Sequence, residues 1–398
     1  MTVYLNALGI VNALGHDKTS VLSNMLANSQ KNVVENHWVP ETTTYVAQVD
    51  VELPVIPDKL SEFKSRNNQL ALHALQQFKP ELEQAKAQYG AERIAVVIGT
   101  STSGIAEGEE AILQYQQTGS RPTNYQYQQQ EIGTVAEFVA EYSGVAGPAY
   151  TISTACSSSA HALGSAKRLI DEGFADAVIV GGVDSLCRLT VNGFAALESV
   201  SDEVTNPFSE NRKGINIGEG AALFLLTREV GGEAIELMSV GASSDAHHIS
   251  APEPEGSGAE RAIQQALDNA GLAREEVTYI NLHGTGTRLN DAMESKVIHR
   301  MFGGDVPCSS SKGQIGHTLG AAAANEVALC WLALSSMNTS GQLPPHLWDG
   351  KQDPELSLIM LNDSHCQAGL VAGGKQIHLS NSFAFGGNNA AVILGRRA

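Results

Sequence analysis

The chain has 398 residues, enough for two domains or one large α/β unit, and its 42% hydrophobic and 17% charged content is that of an ordinary globular protein. Its 25 basic and 43 acidic residues leave a net charge of −18, which argues against nucleic acid as a partner. Five cysteines, at 156, 187, 308, 330 and 366, form neither a disulfide framework nor a zinc pattern, so a reducing compartment is expected.

The first residues lack a basic n-region and carry Asn6 and Gly9 inside an apolar run, which predicts a strand over 3–11 rather than a signal peptide. No run reaches the roughly 18 apolar residues of a membrane helix, so the expected location is the cytoplasm, with no membrane partner. A helix is predicted from 18 to 27, then irregular structure or edge strands over 29–60. Leu70, Leu72, Leu75 and Leu82 give helical periodicity over 67–85. The apolar run 93–99 reads as a strand covered on both faces. After a small-residue turn, the Gln- and Tyr-rich segment 114–130 reads as a solvated loop or as the lining of a pocket or subunit contact.

The stretch 149–170 organises the chain. It opens as a strand over 149–154, then passes through Ala155-Cys156-Ser157-Ser158-Ser159 into a helix with apolar residues at three- and four-residue spacing. Cys156 is therefore expected close to a helix N-terminus, where partial positive charge favours the nucleophilic thiolate. The serines are expected to keep the turn small and cap open N–H groups. A strand over 175–182, a glycine-punctuated loop over 206–220 and a strand over 221–227 follow.

Residues 228–234 are charged and Gly-rich, which places a boundary between halves 1–232 and 233–398. The second half repeats the rhythm, with strands near 234–242 and 277–282, helices over 259–270, 292–301 and 319–334, and closing strands near 376–380 and 390–394. Such alternation implies a mainly parallel sheet with helices on both faces. Cys308-Ser309-Ser310-Ser311 echoes Cys156-Ser157-Ser158-Ser159 and would make Cys308 the structural counterpart of Cys156, in a structural role only.

Further chemistry clusters at turns. His283 ends a strand and precedes Gly284-Thr285-Gly286-Thr287. Lys312 and His317 flank a turn before a helix, in which Glu326 is placed to neutralise Lys312. Phe383 and Phe385 adjoin Gly386-Gly387. His247-His248 suits neither a helical nor a strand ligand pair, and no metal site is expected.

Together these residues resemble the β-ketoacyl–acyl-carrier-protein synthases, the elongating condensing enzymes of the thiolase superfamily. The landmarks are Thr154-Ala155-Cys156, His283 to Thr287 followed by Asn290-Asp291, Lys312 to Ala322 with His317, and the Phe385-Gly386-Gly387 loop, in that order over nearly the whole chain. The resemblance implies a thiolase-like fold of two similar halves, each with a mainly parallel five-stranded sheet, stacked as α-β-α-β-α layers. It implies Cys156 as acyl-carrying nucleophile and His283 and His317 as hydrogen-bond donors to an enolate, with Lys312 and Glu326 holding their electrostatics and orientation. Backbone N–H groups of Cys156 and Phe385 would form the oxyanion hole. Thr285 and Thr287 would bind a phosphopantetheine arm, and Phe385 with Phe383 would gate the acyl pocket.

The implied reaction is decarboxylative condensation of an acyl thioester with malonyl–acyl carrier protein, with no cofactor beyond the carrier's own phosphopantetheine. The implied assembly is a homodimer, or a heterodimer with a chain-length-factor-like paralogue. Ala384 and Asn388 replace the family's usual Gly and Thr, and Ile215 replaces an aromatic. The methyl group at Ala384 narrows the freedom a swinging gate needs. These departures favour a specialised pathway, such as polyketide or aryl-polyene assembly, over housekeeping fatty-acid elongation. A degradative thiolase fits poorly, because Cys366-Gln367-Ala368-Gly369 is misspaced for its second cysteine turn. Lys64, Arg66, Arg212 and Lys213 are the expected basic rim for an acidic carrier protein.

Overall fold

A computed structural model describes residues 2–362 and 375–396 of the chain. Cys366 lies outside the described residues, so the thiolase turn weighed above does too. The strands of the main sheet are β1 (Tyr4–Asn12), β2 (Ile94–Gly99), β3 (Ala149–Ile152), β4 (Ala177–Asp184), β5 (Gly220–Thr227), β6 (Ile235–Ser244), β7 (Tyr279–Asn281), β8 (Pro307–Ser309), β9 (Met360–Leu361), β10 (Gln376–Phe383) and β11 (Asn388–Arg396). Their spatial order is β9-β8-β7-β10-β11-β6-β1-β5-β4-β2-β3.

That order contains a repeat. The run β1-β5-β4-β2-β3 is matched by β6-β11-β10-β7-β8, strand for strand. In each run the second strand is antiparallel to its neighbours and the other four share one direction. The two runs join through the antiparallel pair Tyr4↔Glu236, so the two five-stranded units form one continuous hydrogen-bonded sheet. Strands such as β2, β4 and β5 are buried along their whole length, as their unbroken apolar sequences require.

Six helices complete the layers: α1 (Arg66–Gln76), α2 (Thr134–Ser143), α3 (Ser158–Asp171), α4 (Ser257–Ala270), α5 (Arg288–Phe302) and α6 (Ala322–Leu334). Helices α1 and α2 cover the outer face of the first unit, and α4, with α5 beside it, covers the second. Between the units lie α3 and α6, each touching strands of both. Every residue of α6 is buried, which explains its nearly uninterrupted apolar sequence. Each fully buried Leu, Val or Phe contributes about 1.5–3 kcal/mol here. Close approach of α3 to β2 depends on Gly99, where a Cβ would lie 2.4 Å from the Ser159 nitrogen.

Several expectations change. The helix expected over 67–85 is two helices, Arg66–Gln76 and Lys79–Tyr89, because Pro80 starts a new helix and cannot continue the old one. Of the two readings of segment 29–60, edge strands hold for part of it: Val33–Asn36 pairs with Thr44–Ala47, which pairs in turn with Ile217–Gly218 in a small sheet. Most of the first part of the Gln- and Tyr-rich segment belongs to helix Ile105–Thr118, and its later part holds the short turn Tyr127–Gln130. The cysteine echo is out of register. Cys308 lies inside β8, whereas Cys156 lies four residues beyond the end of the matching strand β3. Cys308 is fully buried and donates to the Val306 carbonyl, a structural role.

Candidate active site

Cys156 sits in a tight turn between β3 and α3. Ala155 before it has φ +54°, a left-handed conformation that a residue with a Cβ adopts only at a cost. This strained elbow turns the Cys156 side chain into a cavity of about 360 Å³, although only 4% of the residue is exposed. The serines do not cap the helix as expected. Ser157 Oγ donates to the Thr154 carbonyl and Ser158 Oγ to that of Ala155, so the N–H groups at the start of α3 receive no side-chain cap. Ser159 Oγ instead accepts from the Ala324 N–H of α6, tying the two central helices together.

The second unit delivers two imidazoles to the sulfur. His283 follows β7, and His317 lies between Lys312–Ile315 and α6. His317 Nε2 is 2.9 Å from Cys156 Sγ, and the two rings stand edge to face with centroids 5.4 Å apart. The sulfur and one nitrogen of each ring all lie within 4.8 Å of one another. The Leu319 N–H donates to His317 Nδ1 at 3.3 Å, so the neutral ring carries its proton on Nε2 and presents it to the sulfur. On His317 that arrangement suits hydrogen bonding better than metal coordination, because Nδ1 accepts the Leu319 N–H and Nε2 carries the proton.

Burial holds His283 and His317 well below the usual imidazole range, and the Lys312 charge pushes both the same way. Both rings are therefore neutral donors near pH 7. Lys312 is itself buried, donating to the His283 carbonyl at 2.5 Å and pairing with Glu326. Burial pushes the Glu326 carboxyl up, opposed by Lys312.

Cys156 departs from expectation. Burial pushes its thiol up to about 11, although Lys312 and the N–H groups of Phe385 and Cys156 itself pull it down. Near pH 7 the sulfur is therefore a thiol, and desolvation outweighs the helix N-terminus. The same two N–H groups point at the sulfur, where an oxyanion on a Cys156-bound acyl group would develop.

Thr285, Thr287 and Phe383 line the cavity with Phe385, whose ring packs on Phe194 at 5.5 Å. Ala384 has φ −94° and ψ 154°, an ordinary extended conformation that a methyl group accommodates. Ile215 is buried against the same cavity.

The four cations expected to form a carrier rim fall into two pairs, of which Arg212 and Lys213 line the cavity that holds Cys156. Lys64 and Arg66 line a different cavity from the one that holds Cys156. Each is already paired, Lys64 with Asp58 and Arg66 through two bonds to Glu219. Arg212 is buried between Asp353 and Asp291, and Lys213 pairs with Asp202 and Glu203. The sequence carries no sign that these charges are already neutralised, because their partners lie up to 153 residues away.

The sequence also gave no role to Glu294. Its carboxylate accepts the His283 N–H at 2.8 Å and the Gly284 N–H at 2.7 Å, fixing the backbone that carries the first imidazole. Burial pushes this carboxyl up to about 7. The available signal was its three-residue spacing from Asp291 on one helix face. Asp291 likewise clamps the Phe208 and Gly286 N–H groups.

Comparison with known proteins bears on this site. A family model described as beta-ketoacyl synthase, N-terminal domain, matches residues 22–230, and one described as beta-ketoacyl synthase, C-terminal domain, matches residues 235–347. The 3-oxoacyl-[acyl-carrier-protein] synthase 2 of Staphylococcus aureus (strain COL) is 28% identical, over 98% of this chain and 97% of its own length. The protein of the same name from Rhizobium meliloti (strain 1021) is 37% identical over 63% of this chain and 61% of its own. Among solved structures, a chain of the complex between the ketosynthase ApeO and its chain length factor ApeC from Xenorhabdus doucetiae superposes with TM-score 0.93 at 48% identity. That match covers 100% of this chain and 98% of the matched chain.

Proposed function

The chain belongs to the beta-ketoacyl synthase family, and on that premise we propose that it condenses an acyl group held on Cys156 with a malonyl group delivered by an acyl carrier protein. The observation that carries the reading is the convergence of two neutral imidazoles on one buried, cavity-lining sulfur.

In the first step the sulfur of Cys156 attacks an acyl thioester. The thiol proton leaves with the departing carrier thiol, and the acyl group stays on Cys156. Malonyl thioester then loses its carboxylate as CO₂, leaving an enolate. The N–H donors of His283 and His317 bind the enolate oxygen, where negative charge is new, and each well-placed donor of this kind lowers the barrier by about 3–4 kcal/mol. The enolate carbon attacks the acyl carbonyl, the C–S bond to Cys156 breaks, and the departing thiolate takes a proton from solvent. Thr285 and Thr287 line the path of the pantetheine arm, and Phe383 and Phe385 wall the pocket in which the acyl chain lies.

The repeated strand order supports reading the chain as two halves meeting at 232/233. The cytoplasm is the compartment this chemistry implies. Among the described residues no helix is long and apolar enough to cross a membrane.

A dimer follows from the sheet. Strand β3 is one of its two end strands and is part-exposed, and exposed Ile112, Tyr115 and Leu189 lie on helices Ile105–Thr118 and Arg188–Ala196. The ketosynthase ApeO was solved with a chain length factor, which favours a heterodimer of that kind for this chain over a homodimer. Co-purification from the native host distinguishes the two.

Intact-protein mass spectrometry after incubation with acyl–carrier thioesters tests the function. One acyl mass is expected, absent from Cys156→Ala, followed by β-ketoacyl product and CO₂ once malonyl–carrier is added. A wild-type protein that is never acylated by any thioester of the panel overturns the reading.

A further inference from the structure

We propose that Asp184 is a positioning residue for His317: from the far unit its carboxylate anchors the turn that sets which ring nitrogen of His317 carries the proton. The inference rests on the condensation reading above and assigns a role to a group outside the cavity.

Asp184 is the last residue of β4 and is fully buried. Its Oδ1 accepts from Thr100 Oγ1, the Ser101 N–H, the Thr102 N–H and Thr102 Oγ1, all at 2.7–2.8 Å. These four donors belong to the turn that follows β2. Its Oδ2 takes one further bond, from the Ala321 N–H at 2.9 Å, and Ala321 belongs to the other unit. One carboxylate therefore joins a turn of the first unit to the segment that carries His317.

That segment needs an anchor. Leu319–Ala321 is a single helical turn that begins at Leu319, whose φ of +50° is strained for a branched side chain. Leu319 provides the N–H that holds His317 Nδ1. Gly320 lets the turn press onto its anchor, since a Cβ there would lie 2.7 Å from the Thr100 carbonyl carbon and 2.8 Å from the Ser101 nitrogen. A neutral imidazole has two tautomers, and only the Nε2–H form offers a proton to the sulfur and to an enolate oxygen. If the turn relaxes, the Leu319 N–H leaves Nδ1. The proton is then free to move there, and a lone pair faces the reacting atoms. Only an acceptor at both oxygens of residue 184 satisfies this geometry. An amide of the same shape must turn an NH₂ towards either Ala321 N–H or the 100–102 turn, donor against donor.

The test uses full-length protein labelled with ¹⁵N-histidine, wild type and Asp184→Asn, with the His317 signals assigned by their loss in His317→Gln. Two-bond proton–nitrogen correlations report the tautomer directly, and malonyl–carrier decarboxylation is measured alongside. Wild type is expected as the Nε2–H tautomer. Asp184→Asn is expected to show Nδ1–H His317 and to slow decarboxylation by about 10–100-fold, the range typical of groups that orient a reacting ligand, while acylation of Cys156 changes less. Should Asp184→Asn not fold, Thr100→Val removes one of the five donors and is expected to shift tautomer and rate in the same direction by less. Unchanged tautomer and rate in a folded variant overturn the proposal. A wild type with the expected tautomer but no condensing activity overturns the functional reading instead, so the two failures are separable.

Discussion

Replacing Lys312 by alanine is the sharpest test of how the site is held. The ammonium and the Glu326 carboxylate are each about 1% exposed, and they pair with one another. Glu326 pairs with Lys312 through Oε1 while Oε2 has no hydrogen-bond partner among the described residues, and the His283 carbonyl also loses its bond to Nζ in the variant. A buried carboxylate is left alone, which costs about 3–5 kcal/mol against a total stability of about 5–15 kcal/mol for a folded protein. The second change, Glu326→Ala, removes the stranded charge, so Lys312→Ala/Glu326→Ala is expected to be more stable than Lys312→Ala alone. A coupling of at least about 2 kcal/mol is expected in the double-mutant cycle.

The pH dependence has a defined sign. Burial already raises the folded-state pKa of Glu326 above its unfolded value, and loss of Lys312 raises it further. The folded variant then holds a proton that the unfolded chain releases above about pH 4.5, so its stability falls as pH rises towards the folded pKa. The deficit against wild type is therefore expected to be larger at pH 8 than at pH 6. Urea unfolding of the four proteins at both pH values measures this. A Lys312→Ala deficit under about 1 kcal/mol, or strictly additive single changes, refutes the argument.

Two further outcomes follow from the geometry. With the Cys156 thiol up at about 11, alkylation by iodoacetamide is expected to accelerate throughout pH 7–9.5 as thiolate forms; a plateau below pH 8 would mean that the helix N-terminus overcomes burial after all. Gly387→Ala is expected to lower the melting temperature and slow turnover, because its φ is +72° and a Cβ would lie 2.8 Å from that of Asp245. Backbone strain of this kind costs about 1–3 kcal/mol, and a melting temperature equal to wild type would show that the loop absorbs it.

Much of this molecule was legible in its sequence, for reasons that differ from part to part. Strands such as Ala177–Asp184 announced themselves because both faces are buried, which leaves no alternation to misread. Cys156, His283 and His317 stood out because each occupies a turn rich in small residues, and the fold brings the three together across 161 positions of chain. What stayed hidden depends on partners far away in sequence. Arg66 looked like a free surface cation until Glu219 closed on it. Asp184 drew no attention, because its five donors come from residues 100–102 and 321. The cysteine echo misled because a four-letter match carries no register, whereas the strand pairing does.

The seam between the duplicated units has an evolutionary corollary. Sulfur comes from one repeat and both rings from the other, so an ancestor made of a single repeat could assemble such a centre only by pairing with a copy of itself. The first repeat needs no imidazole of its own, and Cys308 in the second is filler within a strand.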